Sequence, residues 1–353
     1  MKSWDVIIIG GGIIGLSLSI ELRKKGAHVL VVERGEPGRE ASSAAGGMLV
    51  DCPFETPAAL QSLATASASM YPEFVRELEL ESGMKVDLRD QGTILFPSAT
   101  RTSHPAFESA FRIPAPLAEF EPALAEVNRP AFYLKERSVD PRALAPAALK
   151  AARRLSVDVS SGDEVTAANF SDGRVSGVTT RKTSFLAAKV VNCAGAWSGQ
   201  IAPHAFPTRP VKGQMLCLVS TSRMLKHVIR SPEVYLIPRG DGRIIVGTTV
   251  EEAGFDKRTD VATIQRLHAA AIAMVPELRN AKLLEDWAGL RPGTPDGLPI
   301  LGATSTPGYY VATGHFRDGI LLAPITARVM ADVIDGKNPA HDLASFSPGR
   351  FSS

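Results

Sequence analysis

Apolar residues occur first as short β-branched runs and later as alternating stretches. Val6-Ile7-Ile8-Ile9 has the continuous pattern of a strand covered on both faces. After a glycine-rich turn, "LSLSIELRKKG" predicts a helix capped by Gly26, and "HVLVVERG" predicts a second strand ending at Glu33. "SVDPRALAPAALKAARR" predicts a helix with Asp140 as N-cap and Pro141 in its first position. "VDVSSGDEVTAANFSDGRVSGVTT" predicts strands folded about the turn "SDGR", and "KVVNCAGAWSG" a strand ending in a close-packed glycine turn. Alternation in "QGTILF", "AFYLK", "KGQMLCLV", "VYLIPR" and "RIIVGTT" predicts a mainly antiparallel sheet, crossed by a helix over "DVATIQRLHAAAIAMVPEL". The charged, proline-rich stretch 97–130 reads as loops and short helices, and a last helix starts near Gly319. The order of elements implies an α/β (α+β composite) chain whose first fold is interrupted and later resumed. One unit covers roughly 1–85, 139–205 and 300–345, and the other roughly 86–138 and 206–299.

Composition narrows the picture by exclusion. Among 353 residues, 39 Lys and Arg stand against 37 Asp and Glu, a net charge of +2. That balance gives no electrostatic reason to expect nucleic acid or an anionic membrane as partner. Cys52, Cys193 and Cys217 are far apart, form no Cys-x-x-Cys and have no zinc-ligand spacing. They read as buried reduced thiols, and no metal is expected. The N-terminal apolar run is broken by glycine too early for a signal peptide, and no stretch has the length of a membrane span. A cytoplasmic protein is the expectation.

The chemistry begins at Gly10-Gly11-Gly12-Ile13-Ile14-Gly15, which fits G-x-G-x-x-G. Gly10 permits the tight turn, Gly12 lets a diphosphate approach the backbone, and Gly15 lets the helix pack on the strand. The helix N-terminus then offers unpaired N–H groups to the phosphates. Glu33, eighteen residues past Gly15, is placed to accept hydrogen bonds from both adenosine ribose hydroxyls and disfavours a 2′-phosphate. This is a Rossmann-like dinucleotide fingerprint, and alone it does not separate NAD from FAD. The small-residue stretch "GREASSAAGGMLVD" suits either a loop against an extended cofactor or a surface loop.

Two arginines stand out. Arg317 lies in "ATGHFRDGILLAP" between Gly314 and Gly319 and before an apolar run, which argues against a solvated side chain. It is either a fork for a neighbouring carboxylate or a ligand contact. Arg291 in "GLRPGT" either pairs with Glu285 or Asp286 or binds a ligand carboxylate. Tyr235 sits in an alternating strand, where packing is the commoner role. His315 reads as a packed ring rather than a base, and Trp197 and Trp287 as core residues.

Taken together, "IIIGGGIIG", "SSAAGGML", "SVDP", "NCAGAWSG", "PVKGQML", "VYLIPRGDGRIIVGTT", "WAGLRPGTPDGLPILG" and "ATGHFRDGILLAP" resemble the D-amino-acid oxidase-like family of FAD-dependent amine and amino-acid oxidoreductases, and within it the glycine oxidase branch. The resemblance runs over nearly the whole chain. It implies non-covalent FAD held by Gly10, Gly12, Ile13, Ile14, Gly15, Glu33, Arg34, Ala41, Ser42, Gly46, Gly47, Met48 and Val165. The C-terminal segment His315, Phe316, Arg317, Asp318, Gly319, Ile320 and Leu321 would complete that grip. Arg291, Arg317 and Tyr235 are implied as substrate-binding residues, with no catalytic side chain beyond the flavin. The implied reaction is oxidative deamination of glycine or a similar small amine, with O2 as electron acceptor. Sarcosine or small D-amino acids are alternative substrates, and a D-amino-acid dehydrogenase with another acceptor is an alternative enzyme. A role in thiamin thiazole synthesis and a homotetramer are further implications of the resemblance. Val250, where a longer side chain is expected, and Asp318, in place of an amide, bear on substrate identity rather than on flavin binding.

Overall fold

The computed structural model describes residues 3–98, 112–220 and 224–351, so part of the 97–130 expectation lies outside the described residues. Five long helices are used below: α1 (Ile13–Lys24), α2 (Gln61–Ser82), α3 (Pro141–Arg154), α4 (Val261–Met274) and α5 (Gly319–Ile334).

Strand Ser3–Ile9 is central to an eight-stranded sheet, parallel to Val29–Glu33 on one side and to Ser184–Asn192 on the other. The run Val6–Ile9 is buried throughout, as a strand covered on both faces requires. Its residues alternate between two cores. Val6 and Ile8 join Val29 and Val31 beneath α1, α2, α3 and α5, whereas Ile7 and Ile9 join Leu30, Val32, Val178 and Tyr309 on the opposite face. The strand from "KVVNCAG" thus returns beside the first. At "SDGR" the chain reverses through Asp172 (φ 51°) and Gly173 (φ 75°), the conformation a two-residue hairpin demands.

A seven-stranded sheet holds all five alternating segments together with Lys282–Gly293. Its pairs are antiparallel except Val228–Arg230 against Thr93–Leu95, which run parallel. Helix α4 covers one face, burying Ile264, Leu267, Ala271 and Met274 on Leu216, Leu218, Ile244 and Val246. The other face presents Met215, Ile237, Tyr235 and Trp287 towards the first sheet. A three-stranded sheet of Met48–Leu49, Arg137–Val139 and Leu88–Arg89 lies where the chain passes between the two.

The expected caps form: Asp140 accepts the Arg142 N–H at 2.9 Å, and Gly26 (φ 91°) follows α1; Asp260, not singled out in the sequence, caps α4 by accepting the Thr263 N–H at 2.8 Å. All three cysteines are buried and unpaired. The expectation of core tryptophans does not hold. Trp197 and Trp287 are half-buried, each carrying an arginine on its ring, Arg34 at 3.6 Å and Arg142 at 4.2 Å. An arginine over the ring face is attracted by the ring quadrupole while its charged head stays within reach of water, which places the ring at the rim rather than in the core. Among the described residues no helix is long and apolar enough to cross a membrane.

Gly15 is where α1 meets the first strand. A Cβ there would lie 2.1 Å from the Gly10 carbonyl oxygen and 3.1 Å from Ile8. The substitution Gly15→Ala therefore forces α1 off the sheet, and urea unfolding should show a loss of about 1–3 kcal/mol. An unchanged denaturation midpoint would mean that helix and strand do not pack this closely.

Candidate active site

A cavity of about 950 Å³ opens between the two large sheets. Every binding residue named from the sequence lines it except Gly15 and Leu321. Gly15 serves helix–strand packing, as expected, and Leu321 is in the core, its carbonyl accepting the Ser67 hydroxyl at 2.6 Å.

At one end lies the glycine turn. Gly10 has φ 105°, and a Cβ on it would sit 2.5 Å from the Cys193 carbonyl oxygen, so only glycine fits. Gly12 meets nothing closer than Ser42 Oγ at 3.2 Å, leaving its backbone open to a ligand. Ser42 itself reaches back to accept the Ile13 N–H at 2.9 Å, tying the small-residue loop to the helix start. The buried Glu33 carboxylate is held by two backbone donors, Gly11 N at 2.7 Å and Gly35 N at 2.9 Å. An ionised carboxylate has about four acceptor positions, so two remain for a pair of ribose hydroxyls. Arg34 lies on Trp197, which stacks in turn on Phe255 with ring centres 5.2 Å apart. Bare glycine backbone, a helix N-terminus and an oriented acid match the donors and acceptors of a diphosphate-linked adenosine.

At the other end the seven-stranded sheet contributes Arg291 and Tyr235. Arg291 Nη2 donates to Thr248 Oγ1 at 3.0 Å and Nη1 to the Thr249 carbonyl at 3.2 Å. Neither suggested acid is its partner: Glu285 pairs with Arg142, and Asp286 accepts from the Thr259 hydroxyl. The guanidinium lies over Gly213, where a Cβ would come within 2.3 Å of it. Burial lowers the Arg291 pKa and Tyr235 opposes that shift; the guanidinium stays charged. The Tyr235 ring lies over Gly247, where a Cβ would be 2.7 Å away, and its hydroxyl points at Met215 Sδ, 3.7 Å distant. Burial pushes the phenol pKa up, with Arg291 opposing.

The third wall is the turn into α5. His315 is buried against Thr326, Nε2 to Oγ1 3.1 Å, and burial holds its pKa down at about 3. It is a neutral packed ring, not a base. Phe316 takes φ 48°, a bend that brings Arg317 to the cavity. The expectation that Arg317 avoids solvent does not hold: its side chain is exposed at the rim, 5.1 Å from the Phe316 ring, with no ion pair among the described residues. The two glycines shape the turn without burying the side chain between them. Gly314 (φ 74°) faces Thr294, and Gly319 meets only His315 Cβ at 3.5 Å. The N-terminus of α5 is thus turned to the cavity without a side-chain cap.

Several lining residues escaped the sequence reading: Gly213, Gly247, Thr248, Trp197. For the two glycines the available signal was glycine within or ending an apolar strand, which marks close approach of another group.

Asp318 precedes α5, and burial raises its pKa to about 6 against the opposing charge of Arg317. Its folded pKa thus exceeds the ordinary value of 3.8. Between about pH 4 and 6 the unfolded chain loses this proton first, so stability falls as pH rises through that window and then levels. In ligand-free protein Asp318→Asn should flatten that slope, gaining on the parent most above pH 6. Parallel pH–stability curves for the two proteins would contradict this.

Residues 5–333 match the model of the FAD dependent oxidoreductase family. The glycine oxidase of Pseudomonas aeruginosa is 33% identical over 358 residues, covering 97% of this chain and 98% of that protein. The bifunctional protein ThiO/ThiG of Trichormus variabilis is 36% identical over 98% of this chain, which spans only about half (55%) of that relative. Among solved structures, glycine oxidase from Geobacillus kaustophilus superposes with a TM-score of 0.93 at 30% identity over 100% of both chains. The chain belongs to the FAD dependent oxidoreductase family.

Proposed function

We propose that the chain catalyses oxidative deamination of glycine and similarly small amines, with FAD bound non-covalently and O2 as electron acceptor. The observation that carries this reading is Arg291: a half-buried cation beside Tyr235, facing the cavity, bonded to a hydroxyl and a carbonyl and, among the described residues, to no carboxylate. A guanidinium has five N–H donors in a planar fork, so donors remain for a bidentate carboxylate. Glycine oxidase and ThiO/ThiG relatives support the same substrate class.

FAD, when bound, supplies the two-electron acceptor for the Cα–H bond. Arg291 clamps the substrate carboxylate, and Thr248 and Thr249 hold Arg291 in orientation. Tyr235 adds a phenol that burial keeps protonated and therefore a donor. Arg317 brings a second positive charge to the rim. His315, neutral and bonded to Thr326, moves no proton. The balance is glycine, O2 and water to glyoxylate, ammonia and hydrogen peroxide, through an imine that could also feed thiamin thiazole assembly. We assign residues 1–85, 139–205 and 300–345 to the FAD unit, and 86–138 and 206–299 to the substrate unit. Val250, 54% exposed on the cavity wall, leaves room for an N-methyl group and favours sarcosine as the second reading.

Anaerobic glycine should bleach the flavin absorbance at about 450 nm, and air should restore it. A spectrum unmoved by glycine but bleached by sarcosine would shift the assignment to the N-methyl amine. Arg291→Met should raise KM for glycine by about a hundredfold or more, the loss expected of two charge-assisted hydrogen bonds. An unchanged KM would remove Arg291 from substrate binding.

A further inference from the structure

Arg239 follows the strand Tyr235–Pro238 and is 3% exposed, yet it forms no ion pair among the described residues. Its fork is tied to two backbone carbonyls, Nη2 donating to Gly46 at 2.6 Å and Nη1 to Val139 at 2.9 Å, while the buried Nε has no hydrogen-bond partner among the described residues. Val139 N in turn donates to the Gly47 carbonyl at 2.8 Å. Next to it, Gly240 N donates to Asp87 Oδ2 at 2.8 Å. A single guanidinium therefore joins the end of the Tyr235 strand, the Arg137–Val139 strand and the Gly46–Gly47–Met48 segment of the cavity wall.

We infer that Arg239 is a positioning residue that sets the Gly46–Met48 segment against the flavin and registers it with the strand carrying Tyr235. Burial lowers the Arg239 pKa, with Asp140 and Asp87 opposing through space rather than by a direct bond, and the planar fork is used to tie two carbonyls at once. The segment it holds has no latitude of its own. Gly47 (φ 76°) lies so close to the Val139 carbonyl that a Cβ would be 2.0 Å from it, and a Cβ on Gly46 would meet Ile237 at 2.8 Å. Fixing the two carbonyls thus fixes the wall. A lysine keeps the charge but offers no planar fork. The inference rests on the FAD reading above.

Arg239→Lys and Arg239→Met are compared with Arg243→Met, which breaks the nearby bond to Asp140 Oδ2 (2.7 Å) without touching the Gly46–Met48 segment. FAD affinity is titrated by flavin fluorescence, apoprotein melting is followed separately, and visible circular dichroism reports the bound ring. Arg239→Lys should bind FAD about tenfold or more weakly with an altered dichroic spectrum, while Arg243→Met lowers the melting temperature and leaves affinity within about twofold. Parental affinity in both Arg239 variants, or a loss that Arg243→Met reproduces, would overturn the inference. A parent protein that fails to take up FAD would instead strike the FAD reading itself. If the Arg239 variants do not fold, deuterium uptake in the parent decides. Peptides over 44–49, 137–140 and 237–240 should slow together when FAD is added, and an unmoved 237–240 peptide would overturn the inference.

Discussion

The structure depends on the near-contact of two backbones at Gly10 and Gly15. With no Cβ between them, α1 starts directly off the end of the first strand and aims its N-terminus, which has no capping side chain at Gly12, into the cavity. Everything else at that end is placed by this fit. Gly11 N is brought to Glu33, Ser42 is drawn onto Ile13 N, and the Cys193 carbonyl closes on Gly10 from the neighbouring parallel strand. The acid, the loop and the returning strand are thereby registered on one another before any ligand enters. Pre-formed donors of this kind spare a ligand the cost of ordering its own site.

The same device recurs in the second sheet, with side chains rather than helices as the approaching groups. Gly213 admits the guanidinium of Arg291, Gly247 admits the ring of Tyr235, and Gly289 admits Ala44 from the small-residue loop. Glycine weakens a strand interior, so three on one face of one sheet mark a surface shaped for what lies above it. Apolar burial on the α4 side offsets that weakness, with Leu216, Leu218, Leu236 and Val246 all inaccessible.

This division explains what was legible in the chain. The β-branched run Val6–Ile9, the cap Asp140, and the hairpin at Asp172-Gly173 each carry a local rule, and each forms where that rule puts it. The fingerprint glycines carry one too. What was not legible is set by pairs distant in sequence. Arg291 meets Thr248 only because Lys282–Gly293 and Arg243–Gly247 flank the same strand, Arg209–Val219. Trp197 lies at the rim, where Arg34 and Phe255 meet its ring from separate parts of the chain. No spacing along the chain encodes such meetings.

Charge shows the same logic at longer range. Arg291 and Arg317 face one cavity, and each lacks a carboxylate partner among the described residues. Burial lowers the Arg291 pKa and the charge of Arg317 adds to that, an arrangement that suits an anion held between them. Asp318 sits against Arg317, yet burial raises its pKa to about 6, so near neutrality it partly offsets that positive end. Positive charge on the rim and at the α5 N-terminus would draw in a carboxylate and stabilise negative charge gathering on a reduced ring. Asp318 opposes both effects, more strongly as it ionises. The acid next to Arg317 therefore makes the electrostatics of this cavity a function of pH around 6, whereas the neutral His315 beside it contributes none of that dependence.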